Sequence, residues 1–275
     1  RMLQAAYESF TTAQRQAAHL NIGRLFLKHY NASQVSQQVF AILEQLNQGR
    51  VLISDASEKQ QLAELNLQAA EQAKQASVWS AALHHAEVGL SLLPAEHAQT
   101  QVELSFALQF IQLECEFLLA RHQHGQTLAE ALLAQTDDKL NKARICLLLA
   151  SQQITLKLDD CIDKALLGLA YCGLTLPARE AIDADCLAQA QQTLQSQLRG
   201  QSWQELSQIN TTQNVPEAIS LAYQLFSRLA STSQIAGQQT LCFYSASKAL
   251  STVLAHGANA QAIIIYAMYS VTAAK

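Results

Sequence analysis

Leu62, Leu65, Ala69, Ala73 and Ala76 recur at steps of three and four, so an α-helix carries all five on one face. Leu83, Ala86, Leu90 and Leu93 repeat the pattern in the next segment, and apolar positions keep this spacing along almost the whole chain. Composition removes the competing architecture. A sheet protein needs many tight turns, yet the 275 residues hold only 9 Gly and 3 Pro, far below the roughly 7% and 5% of ordinary chains. Ala, Leu and Gln dominate and favour helix, and a 49% hydrophobic content is too apolar for disorder. The fold class expected is all-α.

Breaks in the pattern come about every 15 to 22 residues, the spacing of helical hairpins. They fall near Tyr30–Ser33, Gly49–Asp55, Ser77, Pro94–Ala95, His122–Gly125, Thr136–Asp138, Asp159, Gly173–Pro177, Gly200, Asn210–Pro216, Ser233–Gly237 and Gly257. Asp55 and Glu58 have the spacing of a capping box. Gly49, Gly125, Gly200 and Gly257 suit the left-handed position that ends a helix. Pro216 suits a first helical turn, and Pro94 and Pro177 each stop a helix.

Hairpins at near-constant spacing predict a tetratricopeptide-like α-α superhelix of antiparallel hairpins. That repeat wants small residues at positions 8, 20 and 27 and Pro at 32. With Pro94 at 32, Ala70, Ala82 and Gly89 fill the small positions. With Pro177 at 32, Ala165 and Cys172 fit but Gln153 stands at position 8. In between, Gly125 marks a turn while Glu130 occupies a place meant for a small residue. In this register the concave surface is lined by Glu64, Leu67, Glu71, Lys74 and Gln75, with Ala150, Ile154 and Lys157 from the later hairpin. Such a mixed apolar and charged face can hold a peptide or helix.

Catalytic chemistry finds little support. His84 and His85 are adjacent, so a helix points them about 100° apart and they do not chelate one ion together. His122 and His124 read as flanking a turn near Cys115, too few ligands for a metal. Asp137–Asp138 and Asp159–Asp160 stand at expected helix starts, where carboxylates cap free N–H groups. Cys115, Cys146, Cys161, Cys172, Cys186 and Cys242 form no CxxC pair and read as free, mostly buried thiols of a reducing, cytoplasmic compartment. There is no G-x-x-x-x-G-K-[ST] and no G-x-S-x-G. No enzyme, metal or cofactor is expected. A net charge of −4 without a Lys/Arg block argues against nucleic acid. No apolar run approaches the roughly 18 residues of a membrane span, and Arg1–Thr12 has no signal-peptide core.

Three stretches resemble a known family. RMLQAAYESFTTAQRQAAHLNIGRLFL, with Arg1, Gln4, Ala5, Ala6, Tyr7, Gln14, Arg15, His19, Leu20, Ile22, Gly23, Arg24, Leu25 and Leu27 matching, is similar to the segment that follows the STAND-type AAA+ ATPase module of large bacterial signalling proteins. ELNLQAAEQAKQASVWSAALHHAEVGLSLLP and KALLGLAYCGLTLP resemble later blocks of the same region, with Trp79 and Ala86 as departures. The resemblance implies a chain cut from a longer protein. Residues 1–30 would lead from the ATPase, 31–200 would be degenerate tetratricopeptide-like repeats, and 201–275 further hairpins or a cap. It implies a non-catalytic scaffold or regulatory arm that contacts a protein or peptide, or the flanking ATPase and output domains. A stand-alone adaptor for an external protein is the alternative.

Overall fold

The structure, a computed structural model, describes residues 10–94, 101–152, 157–198 and 215–273. Among these residues there are thirteen α-helices and no β-strand, so the all-α expectation holds. The chain divides into two compact units, Arg1–Leu128 and Ala129–Lys275.

The first unit contains α1 (Thr12–His29), α2 (Ala32–Gln37), α3 (Val39–Gly49), a 3-10 turn (Arg50–Leu52), α4 (Ala56–Gln75), α5 (Trp79–Leu92), α6 (Val102–Leu118) and the start of α7 (His122–Gln135). Helices pack on their sequence neighbours and on the next but one: α3 on α1 and α4, α4 on α5 and α6, α5 on α6. The Ala76–Val78 link lets α4 and α5 pack only as an antiparallel pair. Ile42, Leu43, Leu62, Ala69, Ala82 and Leu108 are wholly buried in its core. Burying one such Leu or Ile contributes about 1.5–3 kcal/mol.

The second unit contains α8 (Lys139–Ala150), α9 (Leu158–Tyr171), a 3-10 turn (Arg179–Ala181), α10 (Ala184–Leu198), α11 (Glu217–Ile235), α12 (Gln239–His256) and α13 (Ala262–Ala273). Helix α11 packs on α8, α9, α12 and α13, and α10 packs on α12. Ile162, Leu169, Leu194, Tyr223, Phe226 and Leu250 therefore share one core. The Tyr223 hydroxyl donates to the Gly257 carbonyl at 2.6 Å, which satisfies a polar tip at the core's edge.

Local chemistry sets the helix ends. Thr11 with Gln14 and Asn31 with Gln34 form reciprocal capping boxes at α1 and α2. The Asp55 carboxylate accepts from the Glu58 N–H at 2.8 Å and opens α4. Glu58 does not reciprocate: its carboxylate takes both Nε and Nη2 of Arg24, each at 2.7 Å, and so ties α4 to α1. At the other ends a single motif recurs. Val78 N–H donates to Ala73 O, Arg121 to Glu116 O, Leu174 to Leu169 O and Gln238 to Ser233 O, at 2.8–2.9 Å. Each such Schellman closure needs a left-handed residue. Gly173 (φ 85°) and Gly237 (φ 73°) supply it without strain, whereas Ser77 (φ 60°) and Ala120 (φ 58°) adopt it despite a Cβ.

Several expected breaks move. Gly49 is right-handed (φ −95°, ψ 0°) and serves contact instead, since a Cβ there would lie 2.6 Å from Leu20 Cβ and 2.7 Å from Gln16 O. Gly125 lies within α7, against the Phe117 ring, and the break sits before His122 rather than across His122–Gly125. Pro216 is the residue before α11 rather than in its first turn. Gln153, Ile154, Gly200 and Asn210–Asn214 lie outside the described residues.

The repeat-packing positions are placed individually. Ala70, Ala82 and Ala165 are fully buried, and Gly89 is buried with Leu108 Cδ2 only 2.8 Å from where its Cβ would be. Pro94 and Pro177 follow α5 and α9 in exposed chain. Glu130 is exposed on α7, so the middle register does not place it in a helix contact.

Candidate functional site

The face expected to line a groove is only partly open. Glu64, Glu71 and Gln75 of α4 are exposed. Leu67 instead packs against the first core. Lys74 is half-buried, and its Nζ lies 2.5 Å from Glu114 Oε2 of α6. On the side facing α2, Gln68 and Gln72 donate to Ser36 Oγ at 2.8 Å and Ser36 O at 3.1 Å. Of the later set, Ala150 is fully buried in the second core, which corrects its placement on a surface. It ends an apolar helix face whose Ile145, Cys146 and Leu149 are buried with it. Lys157 is exposed at the start of α9, in the second unit.

A polar network that sequence reading missed joins three helices of the first unit. Asn66 of α4 is wholly buried among Leu62, Leu65 and Ala69. Its Nδ2 donates to Leu62 O at 2.9 Å and to Asn47 Oδ1 at 3.1 Å. Its Oδ1 accepts from Asn47 Nδ2 at 3.0 Å and faces His85 Nδ1 at 3.1 Å. A buried amide left unsatisfied costs about 1–3 kcal/mol, so these bonds hold α3, α4 and α5 in one register. The signal in the sequence was Asn66 itself, a polar residue one turn after Leu62 on an otherwise apolar face.

Beside the network opens a cleft of about 370 Å3, lined by Phe40, Leu43, Glu44, Asn47, Arg50, His84 and His85 among others. The Phe40 ring centroid lies 5.7 Å from that of His85. Arg50 Nη1 donates to Asn47 O at 2.8 Å. Burial, with His84 adjacent, lowers the His85 pKa below its ordinary value. His85 is therefore a half-buried, network-bound ring, whereas His84 is exposed.

The remaining expected residues have structural settings. Asp138 caps α8 by accepting from Asn141 N–H at 2.7 Å. Asp159 and Asp160 lie in the first turn of α9 but do not cap it; Asp159 pairs with Arg179 at 2.8 Å. His122 and His124 open α7 rather than flank a turn, and His124 Nδ1 lies 3.1 Å from the buried Glu116 carboxylate. Five cysteines are buried and Cys186 is partly exposed. Among the described residues no three His, Cys, Asp or Glu side chains are placed to hold a metal ion. Among the same residues no helix is long and apolar enough to cross a membrane. The second unit carries its own apolar cleft of about 350 Å3 between α11, α12 and α13, where Ile264 and Met268 face Ala230 and Cys242.

The chain is similar, at 25% identity over 213 residues, to "Hybrid signal transduction histidine kinase G" of Dictyostelium discoideum. The likeness covers 68% of this chain but spans only about 6% of the length of that relative. No family model and no solved structure matches the chain.

Proposed function

We propose that the chain is a non-catalytic helical-repeat arm of a signal-transduction protein, through which the flanking domains or a partner protein are contacted. The observation that carries this reading is the likeness of two thirds of the chain to a small part of a very large hybrid signalling kinase. A helical region of such a protein needs no chemistry of its own, and surfaces are what stacked helices offer. The packing of α3 on α1 and α4, of α4 on α5 and α6, and of α5 on α6 in the first unit supports a tetratricopeptide-like stack. The sequence blocks around Arg24, Ala70 to Gly89 and Ala165 to Pro177 support a place beside a STAND-type ATPase in a cytoplasmic protein.

The test uses the full-length parent protein. Its ATP turnover, and its kinase output where it has one, is measured with and without residues 1–275. A change in either direction on deletion supports an internal regulatory arm. Unchanged turnover and output overturn the regulatory role and leave the chain as a docking surface for an external protein.

A further inference from the structure

Hydrogen bonds alone fix the position of one proton in the cleft of the first unit. The Leu62 carbonyl only accepts, so the Asn66 side-chain atom 2.9 Å from it is the donating nitrogen. The other atom of that amide is therefore the oxygen, which also only accepts, and His85 Nδ1 faces it at 3.1 Å. His85 Nδ1 thus carries the hydrogen. A neutral imidazole has one N–H, so Nε2 is left as a bare lone pair. Burial and His84 hold His85 below its ordinary pKa of 6.5, which keeps the ring neutral at pH 7. Nε2 points away from Asn66, and no hydrogen-bond partner meets it among the described residues.

The surroundings select what meets that lone pair. Glu44 lines the same cleft and has no ion pair among the described residues. Phe40 is exposed and offers a ring face. Arg50 already has a station: its Nη1 holds the Asn47 carbonyl at the C-terminal end of α3, where the helix dipole favours a cation. The open acceptors are a carboxylate and an imidazole nitrogen beside an aromatic face, which together suit a planar, multiply donating cation.

We infer that this cleft receives an arginine side chain of a partner protein, its guanidinium donating to His85 Nε2 and Glu44 and lying on Phe40. This names the partner chemistry of the proposed arm and so rests on that reading. Acid reverses the fit. A protonated His85 has no lone pair and adds positive charge beside His84 and Arg50, with Glu44 the single carboxylate among the lining residues, while Asn47 and Asn66 are neutral.

The experiment is imidazole 15N spectroscopy of the whole 275-residue chain, titrated with N-acetyl-L-arginine amide and, separately, with its neutral citrulline analogue and with N-acetyl-L-aspartate. The free chain at pH 7 is expected to show His85 with Nδ1 protonated and Nε2 bare. The arginine probe should then shift Nε2, the other two probes should not, and the shift should vanish once acid has protonated His85, which the same 15N spectrum reports. Glu44→Gln, an exposed change that leaves the core untouched, should weaken the probe about fivefold, the value of one solvent-facing charge-assisted hydrogen bond. A bare Nδ1, a silent Nε2 under saturating arginine probe, a response to aspartate instead, or an unchanged affinity in Glu44→Gln would each overturn the inference. Because these signals come from His85 alone, their failure leaves the effect of deleting the arm from its parent untouched.

Discussion

Gly168 of α9 lies so close to Leu225 of α11 that a methyl group at 168 would sit 2.7 Å from Leu225 Cδ2 and 3.0 Å from Cys146 Cβ. Three helices meet there with no room for a side chain. Gly168→Ala gains up to about 1 kcal/mol of helix propensity but overpacks a closed contact, at about 1–3 kcal/mol. The net expectation is a lower urea midpoint. Leu225→Ala should recover part of the loss, so the two changes together should cost less than their sum. Strict additivity would mean that residues 168 and 225 do not touch.

Gly89 makes the instructive contrast. Its missing Cβ would meet only the tip of Leu108, at 2.8 Å, with Asn66 Cβ at an ordinary 3.4 Å. A leucine tip can rotate aside, so Gly89→Ala should stay within about 0.5 kcal/mol of the native chain as propensity offsets the strain. Gly89→Leu and Ala82→Leu have no such escape and should each cost about 1–3 kcal/mol. Thermal melts of the three variants check the order.

What the sequence made legible is what depends on near neighbours. The hairpin from Asp55 to Leu92 follows from a cap, a 3–4 apolar period and small residues at Ala70, Ala82 and Gly89, all of which act within a helix or between adjoining ones. The left-handed turns at Ser77 and Ala120 carry no glycine, so the lapse of apolar periodicity marked the first, and the second was expected too late, across His122–Gly125. The cleft was illegible for a different reason. Asn47, Asn66 and His85 are joined across separations of nineteen residues each way, and neither spacing nor composition says that three helices bring them together. The same holds for Lys74 and Glu114, forty residues apart, whose pairing turns an expected surface cation into a tether between α4 and α6.

That tether changes what Lys74 should do. Lys74→Ala should cost about 0.5 kcal/mol, typical of a partly exposed ion pair. Lys74→Glu should cost more, because it places two carboxylates where the pair stood. Exchanging the charges, Lys74→Glu with Glu114→Lys, should restore most of the loss, and a four-variant cycle by chemical denaturation measures the coupling. A coupling of zero would return Lys74 to the free surface.

The thiols separate by access. Cys115, Cys146, Cys161, Cys172 and Cys242 are buried, and only Cys186 is partly exposed, its Sγ 3.3 Å from Ala181 O. Reaction needs an accessible thiolate. Iodoacetamide at pH 8 should label Cys186 alone in the native chain and all six residues in urea, as read by peptide mass mapping. Rapid native labelling of Cys146 would contradict its place in the core.

Burial also gives the buried thiols a role in alkaline stability. Desolvation pushes Cys146 up to about 12 and Cys115 and Cys172 up to about 11, from an ordinary 9.0. The thiolate is the charged form, so the folded chain holds protons that the unfolded chain releases. Stability is therefore complete below about pH 9 and falls as the pH climbs from there towards 12, by at most about 1.4 kcal/mol per pH unit for each thiol. Cys146→Ala removes one such proton and should flatten the decline of unfolding free energy between pH 9 and 10.5, whatever it does to stability at pH 7. Tyr223, raised to about 12 by burial, adds its own loss only above the ordinary tyrosine value of 10.0, so the lower half of that window isolates the thiols. Equal slopes for the native chain and Cys146→Ala would show that Cys146 keeps contact with water.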